Sequence, residues 1–329
     1  MSVLVAGGAG YIGSHAVKAL RSAGHEVVIY DDLSAGHRSV AERADAALEI
    51  GDIRDGARLA DVIRAHRVTA VMHFAALLSV GDSVTDPAGY YDTNVTGAIS
   101  VLRAMARAGV RQFVFSSSAA TFGHPLETPI TEDHPQLPIN AYGETKLAVE
   151  RALPHFERAY GIRWMALRYF NAAGADPDGR LGEDHQPELH VIPRAIDAAL
   201  GRGEFAIYGD DYETPDGTCL RDYVHVTDLA SAHVLALDSL GAGGPSAAYN
   251  LGNGRPVSVR EVVAAVEHVT GRPVLRSVAP RRPGDPAVLF ASSDRIKRAL
   301  GWKPSYEALE VIVETAFRWR EAHPGGYQA

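Results

Sequence analysis

The sequence predicts an α/β fold in which a doubly wound parallel sheet is joined to a second, smaller α/β lobe. In the first half, short apolar runs alternate with segments whose apolar residues recur at helical spacing, the order expected of a sheet covered by helices. These runs are almost continuously hydrophobic, as expected when helices cover both faces of the sheet. After about Gly174 the chain becomes rich in Asp, Pro, Gly and His, which predicts where the second lobe begins.

The individual elements follow in chain order. Helical spacing of Ile12, Ala16 and Leu20 predicts a helix after the first strand. A further strand at 222–226 and a helix at 228–240 are expected to return to the first sheet. The predicted division is therefore a first domain of residues 1–173 with the return segment 222–250, and a second lobe of residues 174–221 and 251–329. The strands predicted for the first sheet are 2–6, 26–30, 47–50, 70–74, 112–116 and 164–169.

Composition limits the classes of function. The 329 residues are 46% hydrophobic and 22% charged, which is typical of a folded globular protein. A formal net charge of -8 disfavours nucleic acid as a partner. Cys219 is the single cysteine, the N-terminus has no basic leader, and no apolar run approaches ~18 residues, so we expect a cytoplasmic protein without a membrane span. The 14 histidines are scattered without metal-ligand spacing, so no metal site is expected.

A glycine-rich turn follows the first predicted strand. Gly7, Gly10 and Gly13 stand in AGGAGYIGSH, where glycines permit a tight turn and the helix N-terminus can present free N–H groups to a pyrophosphate. Asp31 ends the second strand about 20 residues later, where a carboxylate can accept hydrogen bonds from both ribose hydroxyls. The same carboxylate repels a 2′-phosphate, so the sequence predicts NAD in preference to NADP.

Four further residues near this turn are candidate cofactor contacts, and two of them, Asp52 and Asn94, have a second interpretation. Asp52 follows the third strand and either contacts the adenine or caps the next helix. Ala75 and Ala76 end the fourth strand, where small side chains let the backbone approach a cofactor. Asn94 lies in a helical pattern and is either a cofactor contact or a buried amide bonded to backbone.

Tyr142 and Lys146 are spaced to share one face of a helix. The ammonium and a positively charged nicotinamide are expected to lower the pKa of Tyr142 from its usual ~10, so that the phenolate acts as a general base. Ser118 ends the fifth strand and is predicted to bond a sugar hydroxyl and relay its proton. Ser116 and Ser117 are interpreted as strand-end residues that satisfy backbone groups.

Taken in order along the chain, several motifs resemble the UDP-galactose 4-epimerase family of extended short-chain dehydrogenase/reductases. The resemblance implies a Rossmann NAD-binding domain and a UDP-sugar-binding lobe. It also implies reversible interconversion of UDP-galactose and UDP-glucose through a transient 4-keto sugar, with NAD as internal hydride carrier, and a homodimer formed through helices around 94–105 and 142–153. The motifs that carry it are AGGAGYIGSH, HFAALLSVGDS, YYDTNVTGA, FVFSSSAATFG, AYGETK, LRYFNAAGA, AIYGDDYETPDGTCLRDYVHVTDLA, YNLGNG and APRRPGDPA.

The resemblance also implies roles for individual residues. It assigns catalysis to Ser118, Tyr142 and Lys146. Guanidinium groups among the substrate contacts suit phosphate, which they bind bidentately. The implied cofactor contacts are Gly7, Gly10, Tyr11, Ile12, Gly13, Asp31, Asp52, Ile53, Phe74, Ala75, Ala76, Asn94, Tyr142, Lys146 and Tyr169. The implied substrate contacts are Ser118, Tyr142, Asn171, His190, Val191, Tyr208, Arg221, Arg282, Asp285 and Leu289.

The chain departs from this family at four places. Leu78 stands where many members carry a cofactor-contacting Lys, Phe122 replaces Tyr, and His190 replaces Asn. Leu289 occupies the position whose size limits the group on the second carbon of the sugar. Two alternative functions remain: another UDP-sugar 4-epimerase, acting on an N-acetylhexosamine, pentose or uronate, and a non-catalytic NAD-binding regulator. A 4,6-dehydratase is disfavoured, because such enzymes resemble Thr-Asp-Glu where this chain has the triple serine.

Overall fold

The computed structural model describes residues 1–282 and 284–327. Its strands are β1 Ser2–Ala6, β2 Glu26–Asp31, β3 Ala47–Ile50, β4 Ala70–His73, β5 Gln112–Ser118, β6 Arg163–Tyr169, β7 Asn171–Ala173, β8 Phe205–Tyr208, β9 Leu220–Arg221, β10 Tyr223–His225, β11 Ala247–Leu251, β12 Val257–Ser258, β13 Arg276–Ala279 and β14 Val288–Leu289. Its α-helices are α1 Tyr11–Ser22, α2 Arg38–Arg43, α3 Gly56–Ala65, α4 Val80–Thr85, α5 Pro87–Tyr90, α6 Gly97–Ala108, α7 Ala141–Tyr160, α8 Val191–Ala199, α9 Val226–Gly241, α10 Val259–Thr270, α11 Asp294–Leu300 and α12 Leu309–Ala322. A π-helix, Tyr91–Thr96, precedes α6, and a 3-10 turn, Ala119–Thr121, follows β5.

The central sheet has seven strands in the order β11-β6-β5-β4-β1-β2-β3, and every pairing is parallel. The predicted α/β fold is confirmed, and the six predicted strands all lie in this sheet. From β1 the chain moves outward to β3 on one side and from β4 to β6 on the other. The carboxyl ends of β1 and β4 therefore border the point where strand order reverses, which is where parallel α/β sheets bind ligands.

Alternate residues of β1 face opposite layers of core. Val3 and Val5 pack with apolar residues of α1 and α9, whereas Leu4 and Ala6 pack with those of α3, α6 and α7. All four side chains are fully buried. Burial on both faces explains why the strand is uninterruptedly apolar.

The predicted strand at 222–226 does not join the central sheet. β10 pairs instead with β7 outside it, and β11 is the strand that extends the sheet beside β6. The expected helix is present as α9 and packs on the sheet through Leu229 and Leu237. The strand that returns to the sheet is therefore β11, which follows α9, and not the predicted strand that precedes this helix.

The remaining elements form a second apolar core of α8, α10 and α12 with short strands. Ile196, Val262 and Val313 are buried in it. The short strands form a pair, β13-β8, and a three-stranded sheet, β12-β9-β14. Within the described residues, no helix combines the length and apolar character that crossing a membrane requires.

Candidate active site

The glycine-rich turn lies between β1 and α1, at the strand-order reversal. Gly7 has φ +78, and a Cβ there would lie 2.4 Å from the backbone nitrogen of Ala75, so a side chain is excluded twice over. A Cβ on Gly13 would lie 2.1 Å from the carbonyl oxygen of Gly7. The turn is therefore packed directly against the loop that follows β4.

The N-terminus of α1 fits an anion. Gly10 is the N-cap residue, and no side chain of the described residues caps the helix there. Backbone N–H groups of the first turn, at Tyr11, Ile12 and Gly13, are thus left to a ligand, as dinucleotide pyrophosphates require. The hydroxyl of Tyr11 donates to the carbonyl oxygen of Gly174 at 2.6 Å, which ties this helix to the second lobe.

Asp31 ends β2 next to this turn, as predicted. One carboxylate oxygen accepts the backbone N–H of Ala9 at 3.0 Å, and the other accepts that of Leu33 at 2.9 Å. Burial raises the pKa of Asp31, and these two hydrogen bonds oppose the rise. Its carboxylate is therefore held rigidly at the sheet edge where an adenosine ribose would lie.

Asp52 does not cap the following helix. The N-cap of α3 is Asp55, whose side chain accepts from the backbone N–H groups of Ala57 and Arg58. Asp52 instead accepts the backbone N–H of Arg54 at 2.8 Å and pairs with its guanidinium. The capping interpretation of Asp52 is wrong, and its contact with adenine stays a prediction.

Small and apolar residues line the crevice near the third and fourth strands. Ile53 is buried, and a Cβ on Gly97 would lie 2.4 Å from its side chain, which brings α6 close. The backbone N–H groups of Phe74 and Ala75 donate to the carbonyl oxygen of Ala6 at 2.7 and 3.0 Å. Ala76 follows with a partly exposed side chain, so the backbone after β4 remains open to a cofactor.

Asn94 is buried in the π-helix. Its Oδ1 accepts the backbone N–H of Leu77 at 2.8 Å, and its Nδ2 donates to the carbonyl oxygen of Leu77 at 3.0 Å and to the hydroxyl of Thr145 at 3.1 Å. The structure thus shows the backbone-bonded amide, and a cofactor contact at Asn94 stays a prediction. Leu78, next to the loop that Asn94 fixes, is 42% exposed.

The predicted catalytic residues meet at the end of β5. Asn140 caps α7 by accepting the backbone N–H of Gly143, so the helix begins at the residue before Tyr142. Nζ of Lys146 lies 5.8 Å from the ring centroid of Tyr142 and donates to the carbonyl oxygen of Ser116 at 2.9 Å. Ser118 makes a side-chain hydrogen bond with Tyr142. The structure therefore brings Ser118, Tyr142 and Lys146 together.

The expectation that Lys146 and a positively charged nicotinamide together lower the pKa of Tyr142 stays a prediction. Burial raises the pKa of Tyr142, and only the hydrogen bond with Ser118 opposes the rise. Burial also lowers the pKa of Lys146 to about 7, although the carboxylate of Glu150 favours the ammonium. The physical reason is desolvation, which disfavours the charged form of both groups.

A buried ion pair, which sequence reasoning missed, supports this site. The carboxylate of Glu150, one turn after Lys146 on α7, accepts two hydrogen bonds of 3.0 and 3.1 Å from Nε of Arg168 on β6. It also accepts from Ser117 and, at 3.2 Å, from Gln136. Both charged side chains are under 10% exposed. A glutamate on the same helix face as the buried Lys146 is the signal that could have revealed it.

Tyr169, at the end of β6, packs beside the carboxyl end of β5, the strand that carries Ser118. Its hydroxyl contacts Oγ of Ser116, and its ring lies 5.7 Å from that of His233. The ring of His233 lies 4.7 Å from that of Phe74. Ser116 and Ser117 thus bond partners within the protein, whereas Oγ of Ser118 accepts the backbone N–H of Ala120 at 3.1 Å and its side chain also bonds Tyr142.

Four of the predicted substrate residues, Tyr208, Arg221, Arg282 and Asp285, make contacts around two arginines. The guanidinium of Arg221 contacts the carboxylate of Asp285 and donates to the carbonyl oxygen of Leu220 at 2.8 Å. The guanidinium of Arg282 lies 4.1 Å from the ring centroid of Tyr208. Arg221 ends β9, whereas Arg282 lies outside the strands, and Asp285 links them: its carboxylate contacts Arg221 and its backbone N–H donates to the carbonyl oxygen of Arg282 at 3.2 Å.

Arg194 is a further cation that sequence reasoning missed. Together with Arg282 it hydrogen-bonds the hydroxyl of Tyr208 and lowers the pKa of that phenol. Arg194 lies on α8, which begins at Val191. Three guanidinium groups therefore serve the predicted UDP side of the site.

The remaining substrate positions border the first domain. Nδ2 of Asn171 donates to the carbonyl oxygen of Asp222 at 3.1 Å, which leaves its Oδ1 for a ligand. Leu289 packs against an apolar cluster that contains the fully buried Phe122 and also Phe170. The ring of Phe122 thus lies in the core beneath Leu289, where a hydroxyl would be buried.

His190 belongs to a cluster with Glu183, His185 and Glu188 in the segment before α8. One side-chain nitrogen or oxygen of each residue lies within 4.8 Å of the others. Sequence reasoning named only His190, and the spacing Glu-x-His-x-x-Glu-x-His was the available signal. The expectation that there is no metal site stays a prediction.

Comparison with known proteins agrees with this geometry. Residues 3–252 match the model of the NAD dependent epimerase/dehydratase family. A UDP-glucose 4-epimerase of Halalkalibacterium halodurans is 50% identical over 99% of this chain and 98% of the relative. The crystal structure of a UDP-glucose 4-epimerase from Brucella ovis in complex with NAD is 50% identical and superposes with a TM-score of 0.94 over 96% of this chain and 97% of that one.

A third similar protein was solved with both a dinucleotide and a uridine nucleotide bound. The UDP-glucose 4-epimerase from Bifidobacterium longum, in complex with NAD+ and UDP, is 36% identical and superposes with a TM-score of 0.95 over 99% of this chain and all of that one. The similarity extends over both the first sheet and the second lobe. The chain belongs to the NAD dependent epimerase/dehydratase family.

Proposed function

We propose that this chain is an NAD-dependent isomerase that interconverts UDP-galactose and UDP-glucose through a transient 4-keto sugar. The observation that carries the proposal is the placement of Ser118, Tyr142 and Lys146 at the sheet edge beside an uncapped, glycine-rich helix N-terminus. Full-length similarity to UDP-glucose 4-epimerases supports the same reaction.

The first domain holds the cofactor in this proposal. The N-terminus of α1 binds the pyrophosphate, and Asp31 accepts from the adenosine ribose. NAD supplies the hydride acceptor and donor, so no net oxidation of the sugar accompanies turnover. The backbone of Gly7 packs directly against that of Ala75, which fixes the glycine-rich turn beside the carboxyl end of β4.

The catalytic residues move the proton of the sugar's 4-hydroxyl. Tyr142 accepts this proton as general base, and Ser118, bonded to Tyr142, holds the hydroxyl and relays the proton. Because burial alone raises the pKa of Tyr142, the base needs a positive charge next to it. Lys146 supplies part of that charge when it is protonated. The positive nicotinamide ring is the second source.

The second lobe anchors UDP. Arg221, Arg282 and Asp285 are proposed to bind the diphosphate and ribose, and Tyr208 to stack beside the uracil. Asn171 and Val191 complete this side, and Leu289 lies near the second carbon of the sugar. Binding energy from the unreactive UDP end then holds the ketone in place during turnover.

The division of the chain follows from these roles. We assign NAD binding to residues 1–173 with the return segment 222–250, and UDP-sugar binding to residues 174–221 and 251–329. We also propose a homodimer formed through helices around 94–105 and 142–153, and activity in the cytoplasm. Exposed apolar side chains at Val84 and Tyr91, near the first of these helices, support the dimer. Sedimentation of the purified protein tests this assembly.

The reaction is tested by incubating the pure protein with UDP-galactose, without added NAD, and separating the products. UDP-glucose is the expected product, and denaturing the protein is expected to release NAD. UDP-sugars with an N-acetyl group, a pentose or a uronate are run in parallel. Faster turnover of one of these would reassign the substrate, and binding without turnover of any would indicate a regulator.

A further inference from the structure

Two imidazoles and two carboxylates meet in the loop that leads into α8. Nδ1 of His185 lies 3.2 Å from Oε1 of Glu183, and Nδ1 of His190 contacts the same oxygen. Oε1 of Glu188 lies 3.8 Å from the first nitrogen and 3.6 Å from the second. This oxygen also accepts the backbone N–H groups of Leu189 and His190 at 2.8 and 2.9 Å. Both rings therefore turn Nδ1 toward carboxylates whose positions are fixed.

The cluster is buried at one end and open at the other. The side chains of Glu183 and Glu188 are 5% and 9% exposed, whereas that of His190 is 43% exposed. His190 is also the N-cap residue of α8, the positive end of the helix. One turn later the same helix carries Arg194, which bonds Tyr208. The open edge of His190 thus lies at the start of the helix that serves the UDP side.

The other charged groups near the cluster belong to α12 and α8. Nη1 of Arg320 lies 3.6 Å from Oε2 of Glu188, but its Nε donates to Asp197 at 3.0 Å in a two-point pair. Arg202 reaches Asp197 only at 3.8 Å, from the surface. The guanidinium of Arg320 is thus largely committed to Asp197. Buried carboxylates need a counter-charge, and the imidazoles are placed to supply it.

Helix α1 contributes an uncharged side chain, Tyr11, to the surroundings of the cluster. Tyr11 packs edge-on against His185, with ring centroids 6.2 Å apart, and its hydroxyl is committed to Gly174. Burial disfavours the charged rings, but the carboxylates of Glu183 and Glu188 outweigh it and raise the pKa of His185 to about 10 and that of His190 above its usual range. The carboxylates therefore favour the protonated form of both rings.

We propose that Glu183 is a positioning residue that holds His190 as a cationic hydrogen-bond donor for the diphosphate-linked sugar. With Nδ1 committed to Glu183, Nε2–H is the one donor the ring has left, and its direction is set by the buried carboxylate. The identity of the ligand rests on the proposed function. The fixed charge of His190 itself depends only on the contacts of the cluster.

The test compares wild type, Glu183→Gln and the control Glu261→Gln. Glu261 is a glutamate of the same lobe whose carboxylate accepts the backbone N–H of Ser258, away from the cluster. For wild type and the control we expect a KM for UDP-galactose that does not change from pH 6 to 8.5. For Glu183→Gln we expect KM to rise about tenfold over this range as His190 loses its proton near ~6.5, with kcat changing much less.

NMR of the imidazole nitrogens keeps the proposal testable if Glu183→Gln does not fold. In the wild-type protein the His190 ring is expected to remain protonated to pH 8 and to shift when UDP is added. A neutral ring above pH 7 would overturn the proposal. So would an unchanged KM in a folded Glu183→Gln, or one stoichiometric metal ion by mass spectrometry, because metal would require neutral imidazoles. Failure of the proposed function appears separately, as a wild type with no epimerase activity.

Discussion

The two halves of the candidate site treat ionisable groups in opposite ways. At the catalytic edge, burial removes charge: the pKa of Lys146 falls to about 7 and that of the buried His73 to about 3. In the second lobe, partners preserve charge: carboxylates raise the pKa of His185 to about 10, and Asp285 accompanies Arg221.

This difference matches two chemical tasks. Proton transfer needs groups whose charge can change at working pH, and desolvation brings Lys146 into that range. Holding a diphosphate needs charge that does not change, and paired carboxylates favour it: the buried Glu183 beside His190 and the partly exposed Asp285 beside Arg221. We infer that the catalytic edge places the pKa of Lys146 near working pH, whereas the paired groups of the second lobe keep their charge as pH changes.

The largest effect is expected at the base. Tyr142→Phe removes the proton acceptor and should lower kcat by about 10²- to 10⁴-fold. Bound NAD, measured after denaturation, should remain near the wild-type amount, because the turn at Gly7 and the carboxylate of Asp31 are untouched. Near-normal kcat would show that another group is the base.

Among these changes, loss of the buried ion pair between Glu150 and Arg168 should lower the free energy of unfolding most. Glu150→Gln leaves the buried guanidinium of Arg168 without its counter-charge, and the free energy of unfolding should fall by about 3 kcal/mol. Urea denaturation measures this change. Glu144→Gln, on the same helix, is the control and should change stability little. If both variants unfold at the same urea concentration, the ion pair does not support the site.

Acid should unfold the protein through the neutral histidines of the first domain. Burial lowers the pKa of His15 and His233 to about 4 and that of His73 to about 3, all below the usual ~6.5. The unfolded chain therefore binds more protons below ~6.5, and stability should fall as pH drops from there toward 4. Each ring contributes roughly 2 kcal/mol of this loss by pH 5.

Urea midpoints measured between pH 5 and 8 test this expectation. The paired rings of His185 and His190 have raised pKa values, so they should add stability as pH falls toward ~6.5, and below that pH they bind protons in both states and contribute nothing to the loss. Midpoints that stay constant from pH 7 to pH 5 would show that the buried rings of the first domain are not neutral.

Arg282 should separate binding from chemistry. Arg282→Ala removes a cation proposed to bind the diphosphate and should raise KM for UDP-galactose about tenfold, or about 1.4 kcal/mol. The chemical step should persist because Ser118 and Tyr142 are unchanged, so kcat falls much less than in Tyr142→Phe. A variant with unaltered KM and a reduced kcat would place Arg282 at the reacting end.

The smallest effect is expected for specificity at Leu289. UDP-galactose should be preferred and UDP-N-acetylgalactosamine should be a poor substrate, since an N-acetyl group needs space that leucine fills. Size discrimination in apolar pockets amounts to about 1–3 kcal/mol, so exclusion is partial. Leu289→Ser should raise the relative kcat/KM for the acetylated sugar severalfold. An unchanged ratio would show that Leu289 does not limit the pocket.

The central sheet was predictable because its strands are continuously apolar and separated by helical patterns. The choice between β10 and β11 as the seventh strand was not, since both are short and their pairing depends on tertiary packing. The sequence likewise could not distinguish Asp52 from Asp55 as the cap of α3. Only the backbone shows which carboxylate reaches the first N–H groups.

The site was predictable where a motif keeps its members close together. Tyr142 and Lys146 lie one helical turn apart, and Gly7 to Gly13 form one turn. The partners behind them lie on other elements: Glu150 meets Arg168 from β6, and no local pattern records that contact. The lowered pKa of Lys146 escaped prediction for the same reason, because burial depends on the whole fold.

If NAD is an internal hydride carrier, the hydrogen removed from the sugar's fourth carbon returns to that carbon within one closed site. UDP-galactose carrying deuterium at this carbon, incubated with the pure protein in ordinary water without added NAD, tests it directly. We expect UDP-glucose that keeps its deuterium at the same carbon, as measured by NMR and mass spectrometry. Product that has lost the label to water, or no product until NAD is supplied as a consumed reagent, would contradict it.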